Sequence, residues 1–132
     1  MTCYLAIDLG KLRVGLASAD DVERVVTPLE VLDGRDRRVL IDRLAVLAAE
    51  RDAEFVVGLP LSLEGEEQRV SKNARAFART LARATGRPVH LQDETLSSFE
   101  ALELARGAGR SSREPIDDLA AGVLLRDFLA SR

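Results

Sequence analysis

The sequence predicts an α/β domain built on a mixed five-stranded sheet, its first three strands antiparallel, with helices packed on both faces. Three observations carry that prediction. Up to about residue 32 the chain reads in the two-residue period of strands. From Arg35 onward apolar residues recur at helical spacing, and two short apolar runs, around Phe55 and around Leu91, interrupt the helical stretches. Antiparallel strands followed by alternating helices and strands close into one sheet through right-handed crossovers.

Thr2 to Asp8 and Arg13 to Ala19 are β-rich runs joined by the turn Leu9-Gly10-Lys11-Leu12, which reads as a hairpin. Glu23 to Leu32 is a third extended run, and Pro28 within it marks an edge strand. Leu40, Leu44, Leu47 and Ala48 then share one helical face, and this first helix ends near Arg51-Asp52. Glu54 to Gly58 follows as a brief strand, with Phe55-Val56-Val57 apolar on both sides as in a strand covered on both faces. A second helix runs from about Glu66 to Ala84 and is stopped by Gly86 and Pro88. Val89 to Gln92 is the last strand, carrying Asp93-Glu94 at its C-terminal end. Ser97 with Glu100 has the capping-box pattern of a third helix, and Pro115 opens a fourth.

The 132 residues hold no repeat, low-complexity run or linker, so they are read as one domain spanning 1–132. Twenty-two acids against nineteen bases give a formal charge of −3, which argues against a protein that coats nucleic acid through bulk charge. No apolar stretch approaches the ~20 residues of a membrane span, and no basic leader or cleavage site follows Met1, so a cytoplasmic location without membrane contact is expected. A single Cys and a single His exclude the recognised Cys/His zinc spacings. Any metal here would be held by carboxylates.

Asp8 at the end of the first strand, Glu94 after the last and Asp117 at the start of the fourth helix each sit beside core sequence, in Leu5-Ala6-Ile7, Val89-His90-Leu91 and Leu119-Ala120-Ala121. Taken singly, each acid reads equally well as a turn acceptor, a solvated strand end or a first-turn helix anion. Sites in such sheets form at the C-terminal ends of parallel strands, which would bring the acids together. Converging carboxylates repel unless a divalent cation neutralises them, and hard oxygen ligands suit Mg²⁺ or Mn²⁺. Two such ions ~4 Å apart activate a water and stabilise the leaving oxygen of a phosphodiester.

Four stretches, in order and spacing, resemble the successive motifs of the YqgF/RuvX family. They are Ile7-Asp8-Leu9-Gly10 with Arg13-Val14-Gly15-Leu16-Ala17, Val57-Gly58-Leu59-Pro60-Leu61, Asp93-Glu94-Thr95-Leu96-Ser97-Ser98, and Ile116-Asp117-Asp118-Leu119-Ala120-Ala121. The resemblance covers nearly the whole chain. It implies a ribonuclease H-like fold and a bacterial nuclease, of a kind described both as Holliday-junction resolvases and as nucleases that mature the small-subunit ribosomal RNA precursor. By motif match the metal-binding and catalytic carboxylates fall on Asp8, Glu94 and Asp117. Asp93 and Asp118 compete with their neighbours, but strand alternation and the 100° turn of a helix let one of each pair face the site. The chain departs from the family in having Thr95 where Arg is usual and Lys11 where Thr is common. The loop Arg106 to Glu114, usually rich in Lys, here carries Arg106, Arg110 and Arg113.

On the second helix Val70, Ala74, Phe77, Ala78 and Leu81 form a core stripe, opposed by Arg69, Lys72, Arg75, Arg79 and Arg83. That basic face is either a solvated surface or the seat of a polyanion, and like charges one turn apart favour the second. With Lys11, Arg13, Arg110 and Arg113 these five make up the expected nucleic-acid contacts. The segment Leu59 to Glu67 reads as a flap or a plain surface loop.

The leading expectation is a metal-dependent endonuclease on structured nucleic acid, resolving Holliday junctions in DNA recombination and repair. The alternative substrate is the 5′ end of precursor 16S rRNA. A junction resolvase is expected to be a two-fold homodimer, since two symmetrical cuts need two active sites, whereas an RNA-processing nuclease could be a monomer. A third class is a non-catalytic nucleic-acid binding module. A sugar-kinase or chaperone-type ATPase also begins with Asp-x-Gly, but its cleft needs two such domains.

Overall fold

The structure is a computed structural model that describes residues 1–95 and 117–132, without the side chains of 95 and 117–119. In chain order the elements are β1 (Cys3–Leu9), β2 (Arg13–Asp20), β3 (Thr27–Asp33), α1 (Arg37–Arg51), β4 (Ala53–Leu61), α2 (Arg69–Thr85), β5 (Val89–Thr95) and α3 (Asp117–Ala130). The strands form one five-stranded sheet in the order β3-β2-β1-β4-β5. β1 pairs antiparallel with β2, and β2 with β3, while β4 runs parallel to both β1 and β5. The mixed sheet with its antiparallel first three strands is thus the predicted one. The expected helix from Ser97 and the loop 106–114 lie outside the described residues.

Side-chain alternation splits the core into two layers. Leu5 and Ile7 of β1 join Phe55, Val57 and Leu59 of β4 in packing against Leu40, Leu44 and Leu47 of α1 and Phe77 and Leu81 of α2. On the other face Tyr4, Ala6, Ala17 and Val56 pack against Ala121, Leu124, Leu125 and Phe128 of α3. Phe55, Val56 and Val57 are fully buried, which explains why β4 reads as a continuous apolar run. Among the described residues no helix is long and apolar enough to cross a membrane.

Three boundaries differ from the sequence reading, each for a local reason. β3 begins at Thr27 and not at Glu23, because the Asp20 carboxylate accepts the N–H of Val22 (2.9 Å) and Glu23 (2.6 Å) and Arg24 adopts a φ of 58°, which makes this stretch a turn. α2 begins at Arg69, because Glu67 pairs back to Leu61 across an antiparallel bridge. The segment Leu59 to Glu67 is accordingly the end of β4 plus a tight loop, closed by Ser62 N–H donating to Glu66 O (2.9 Å). β5 extends to Thr95 because β4 continues to Leu61 beside it, so Asp93 and Glu94 lie within the strand and pair with Leu59 and Pro60.

The core stripe of α2 also shifts by one residue. Val70 is half exposed and Ser71 takes the buried place, alongside Ala74, Phe77, Ala78 and Leu81. Ser71 Oγ accepts Gln68 N–H (2.8 Å) and donates to Pro60 O, which fastens the start of α2 to the end of β4. A buried hydroxyl with both partners is tolerated, and polarity alone misassigned it. Ser71→Ala is expected to destabilise the fold by about 1–2 kcal/mol, since it removes both hydrogen bonds, to Gln68 N–H and Pro60 O, that tie α2 to β4. Val70→Ala should change stability by less than about 0.5 kcal/mol, and urea denaturation of both variants separates the two positions. Phe55→Ala, at the centre of the inner layer, should cost about 3–5 kcal/mol in the same measurement.

Candidate active site

Residues of even number on β1, β4 and β5 face α3. Tyr4, Ala6 and Val56 are buried there, and the His90 ring lies 6.0 Å from Tyr4 and 5.3 Å from Phe128. His90 Nε2 lies 2.7 Å from a Glu54 oxygen, so this histidine belongs to a packed cluster at the opposite end of β5 from Glu94. The same alternation places Asp8 at the end of β1 and Glu94 near the end of β5 on the α3 face, each only 8% exposed. β4 lies between their strands, and the residue it presents there is Gly58. A Cβ on Gly58 would stand 2.9 Å from Glu94 Oε2 and 3.3 Å from Leu124 Cδ2. The missing side chain opens the space across β4 through which the two carboxylates sense each other.

Burial raises the pKa of Glu94 to about 8, with the negative charges of Asp8 and then Asp127 adding to the shift. A carboxylate so held is easier to protonate than to ionise, unless a cation enters. Asp127, exposed on α3, was missed by the sequence reading, since only packing reveals which strand a helix residue approaches. Gly58 carried a signal that was available: a glycine inside an otherwise apolar strand marks a close approach.

Asp117 is the first residue of α3, four residues before Ala121 and seven before Leu124, both buried against the sheet; its own side chain lies outside the described residues. Among the described residues no group of three His, Cys, Asp or Glu side chains gathers in a metal-binding arrangement. The described part therefore supplies two acids, Asp8 and Glu94. Their character fits a hard divalent cation: oxygen donors, burial, and the charge of Asp8 acting on Glu94.

The expected basic contacts divide by position. Lys11 in the β1–β2 turn and Arg13 at the start of β2 are exposed at the same sheet edge as the carboxylates. On α2, Arg69 and Lys72 start near that edge, because Ser71 is bonded to Pro60. Arg79 and Arg83 lie about 15 and 21 Å further along the helix axis from Arg69. Arg75 departs from the expected unpaired stripe, for its guanidinium donates to both Glu67 oxygens at 2.7 and 3.2 Å. Arg110 and Arg113 lie outside the described residues.

The Glu94 shift has a definite sign in stability. A carboxyl with a raised folded-state pKa binds its proton more tightly when folded, so the metal-free chain should lose stability as pH climbs from about 4.5 to about 8. The slope contributed approaches about one proton at mid-range. Thermal unfolding in EDTA across that range is expected to show it, and Glu94→Gln should flatten it. Gly58→Val should displace the Glu94 carboxylate and weaken Mn²⁺-induced stabilisation by about tenfold in apparent affinity.

The family model described as RuvX, Holliday junction resolvase, matches residues 2–131. A protein of Anaeromyxobacter sp. (strain Fw109-5), named "Putative pre-16S rRNA nuclease", is 47% identical over 98% of this chain and 97% of its own length. A protein of the same name from Clavibacter michiganensis is 44% identical over 95% of this chain and 81% of its own. Among solved structures, T. thermophilus RuvC in complex with Holliday junction substrate superposes with a TM-score of 0.58 over 100% of this chain and 96% of that one, at 15% identity, a likeness of fold. The chain therefore belongs to the YqgF/RuvX family of nucleases with the ribonuclease H-like fold.

Proposed function

We propose that this chain is a divalent-metal-dependent endonuclease of structured nucleic acid and that its substrate is the precursor of 16S rRNA. The observation that carries the nuclease chemistry is the buried pair Asp8 and Glu94, facing one another across Gly58 at one edge of the sheet. The precursor is favoured by the names of relatives that are 44–47% identical along nearly the whole chain. This reverses the order of the sequence reading, in which junction resolution came first. The family description keeps that junction activity as the second reading.

Asp8 and Glu94 would hold the metal, and Asp117 would complete the set. Mg²⁺ or Mn²⁺ bound there supplies Lewis-acid activation of water and neutralises charge on the departing oxygen. The chain's own part is to keep both carboxylates desolvated and aimed at one place. Leu124 closes the space over Gly58, and this apolar wall excludes the water that would otherwise screen the acids. Glu94 gives up its proton when the cation arrives, so occupancy is linked to pH. Lys11, Arg13, Arg69 and Lys72 stand at the same edge to meet the phosphate backbone.

Asp8→Asn is expected to lower Mn²⁺-dependent cleavage of a transcript carrying the 5′ leader of 16S rRNA by about a thousandfold or more, with the variant still folded. Retained turnover would sink the assignment. Competition between that transcript and a four-way DNA junction, with the mass of the active species recorded, ranks the two substrates. Preferred cleavage of the transcript by a monomer is the expected outcome; preferred cutting of the junction by a two-fold dimer reverses it.

A further inference from the structure

Directly behind the carboxylates, on the α1/α2 side of the same sheet edge, lies a cleft of about 220 Å³ with an apolar floor of Leu9, Pro60 and Val70. Its polar lining is Lys11, Arg37 and Asn73, so it holds two cations and no acid. Among the described residues neither Lys11 nor Arg37 enters an ion pair. Arg35, two residues before Arg37, is by contrast tied to Asp33 at 2.6 Å.

Several contacts build the cleft from segments far apart in sequence. Gly34 N–H donates to Leu12 O (2.9 Å), which draws the β3–α1 loop onto the β1–β2 turn and sets Arg37 near Lys11. The Arg37 guanidinium carbon stands 5.4 Å from the centre of the Phe77 ring on α2, a cation–π contact on the side of the adjoining groove that fixes this side chain between the two α-helices where the cleft begins. Ser71, bonded to Pro60, places Val70 and Asn73 on the far wall. Arg37 and Asn73 also line an adjoining groove of about 320 Å³ between α1 and α2, so the cleft continues away from the edge.

Its position relative to the acids is fixed by the sheet. Leu9 and Gly10 follow Asp8 directly, and Pro60 is the register partner of Glu94. A strand draped over the ends of β1 and β4 meets carboxylates on one face and cations on the other. We propose that this cleft binds the phosphodiester next to the scissile one, with Lys11 and Arg37 as its phosphate contacts. The assignment rests on the nuclease reading above and adds Arg37, Asn73 and Val70 to it. It also sets the strand's path over the sheet edge, in place of the distant half of α2 that carries Arg79 and Arg83.

The test uses the full chain in Mn²⁺ and whichever of the leader transcript and the four-way junction the wild type cleaves, with kcat/KM measured from 50 to 200 mM KCl. Arg37→Gln is expected to lower kcat/KM about tenfold, as for loss of one charge-assisted contact. Its slope against log salt should fall by about 0.7 to 0.9, the share of one phosphate. Val70→Trp fills the cleft from a half-exposed helix position without changing charge, and should lower kcat/KM at an unchanged slope. Arg51→Gln, at the far end of α1, should keep both values. Wild-type kcat/KM in either Arg37→Gln or Val70→Trp overturns the cleft and leaves the nuclease reading standing. Cleavage of neither substrate by the wild type overturns that reading, and the cleft with it.

Discussion

Two carboxylates buried on one face of a sheet, with one strand between them, are the constraint on which the rest of the site depends. Asp8 and Glu94 are each almost fully removed from water, and the charge of Asp8 adds to the burial cost of ionising Glu94. Such an arrangement persists only if the surroundings over-determine it. Gly58 leaves the intervening strand without a side chain at the point of closest approach, and Leu124 of α3 lies over the space. The cost is electrostatic and local, of the kind a divalent cation would offset. Under the proposed function, stability and cation affinity would be coupled at this site, because the acids that are costly to ionise are those that would hold the ion.

The sheet converts that local demand into a working edge. β1, β4 and β5 run parallel and end together, so the acids near the ends of the two outer members of this set share a rim. Because side chains alternate across the pleat, Asp8 and Glu94 share one face of the rim, while the β1–β2 turn and the start of α1 bring Lys11 and Arg37 to the other. Ser71 binds α2 to that same rim through Pro60. On the proposed reading, phosphate contacts and phosphate chemistry would be separated by the thickness of one sheet. The overall charge of −3 does not by itself oppose a nucleic-acid partner, since it is a total that says nothing of the cations lining the cleft at the rim.

The family assignment and the geometry reinforce one another from independent directions. Relatives nearly half identical along the chain establish the family, whereas the RuvC likeness at 15% identity speaks for the fold. The buried acid pair arises from register and burial and owes nothing to either comparison.

Most of the fold was legible because its elements obey local rules. The strand period of residues 3–20, the continuous Phe55-Val56-Val57 run and the leucine stripe of α1 are burial patterns written directly in residue type. Asp8 and Glu94 were legible as acids at strand ends. Their facing one another was not, because it depends on the register of β4 against both neighbours and on Gly58 as the residue between them. The same limit explains the misreadings. Val70 and Ser71 exchanged places because a buried hydroxyl is acceptable only where a particular carbonyl, Pro60 O, happens to lie. Arg75 left the basic stripe because Glu67, eight residues earlier, folds back beside it. By itself the sequence determined which segments are strands and helices and which residues are acids at their ends, since period, capping and side-chain type act over a few residues. Only the tertiary structure decided which acids share a face, which cations stand near them and how deeply each acid is buried, because charge, desolvation and hydrogen-bond satisfaction act through space between segments the chain order keeps apart.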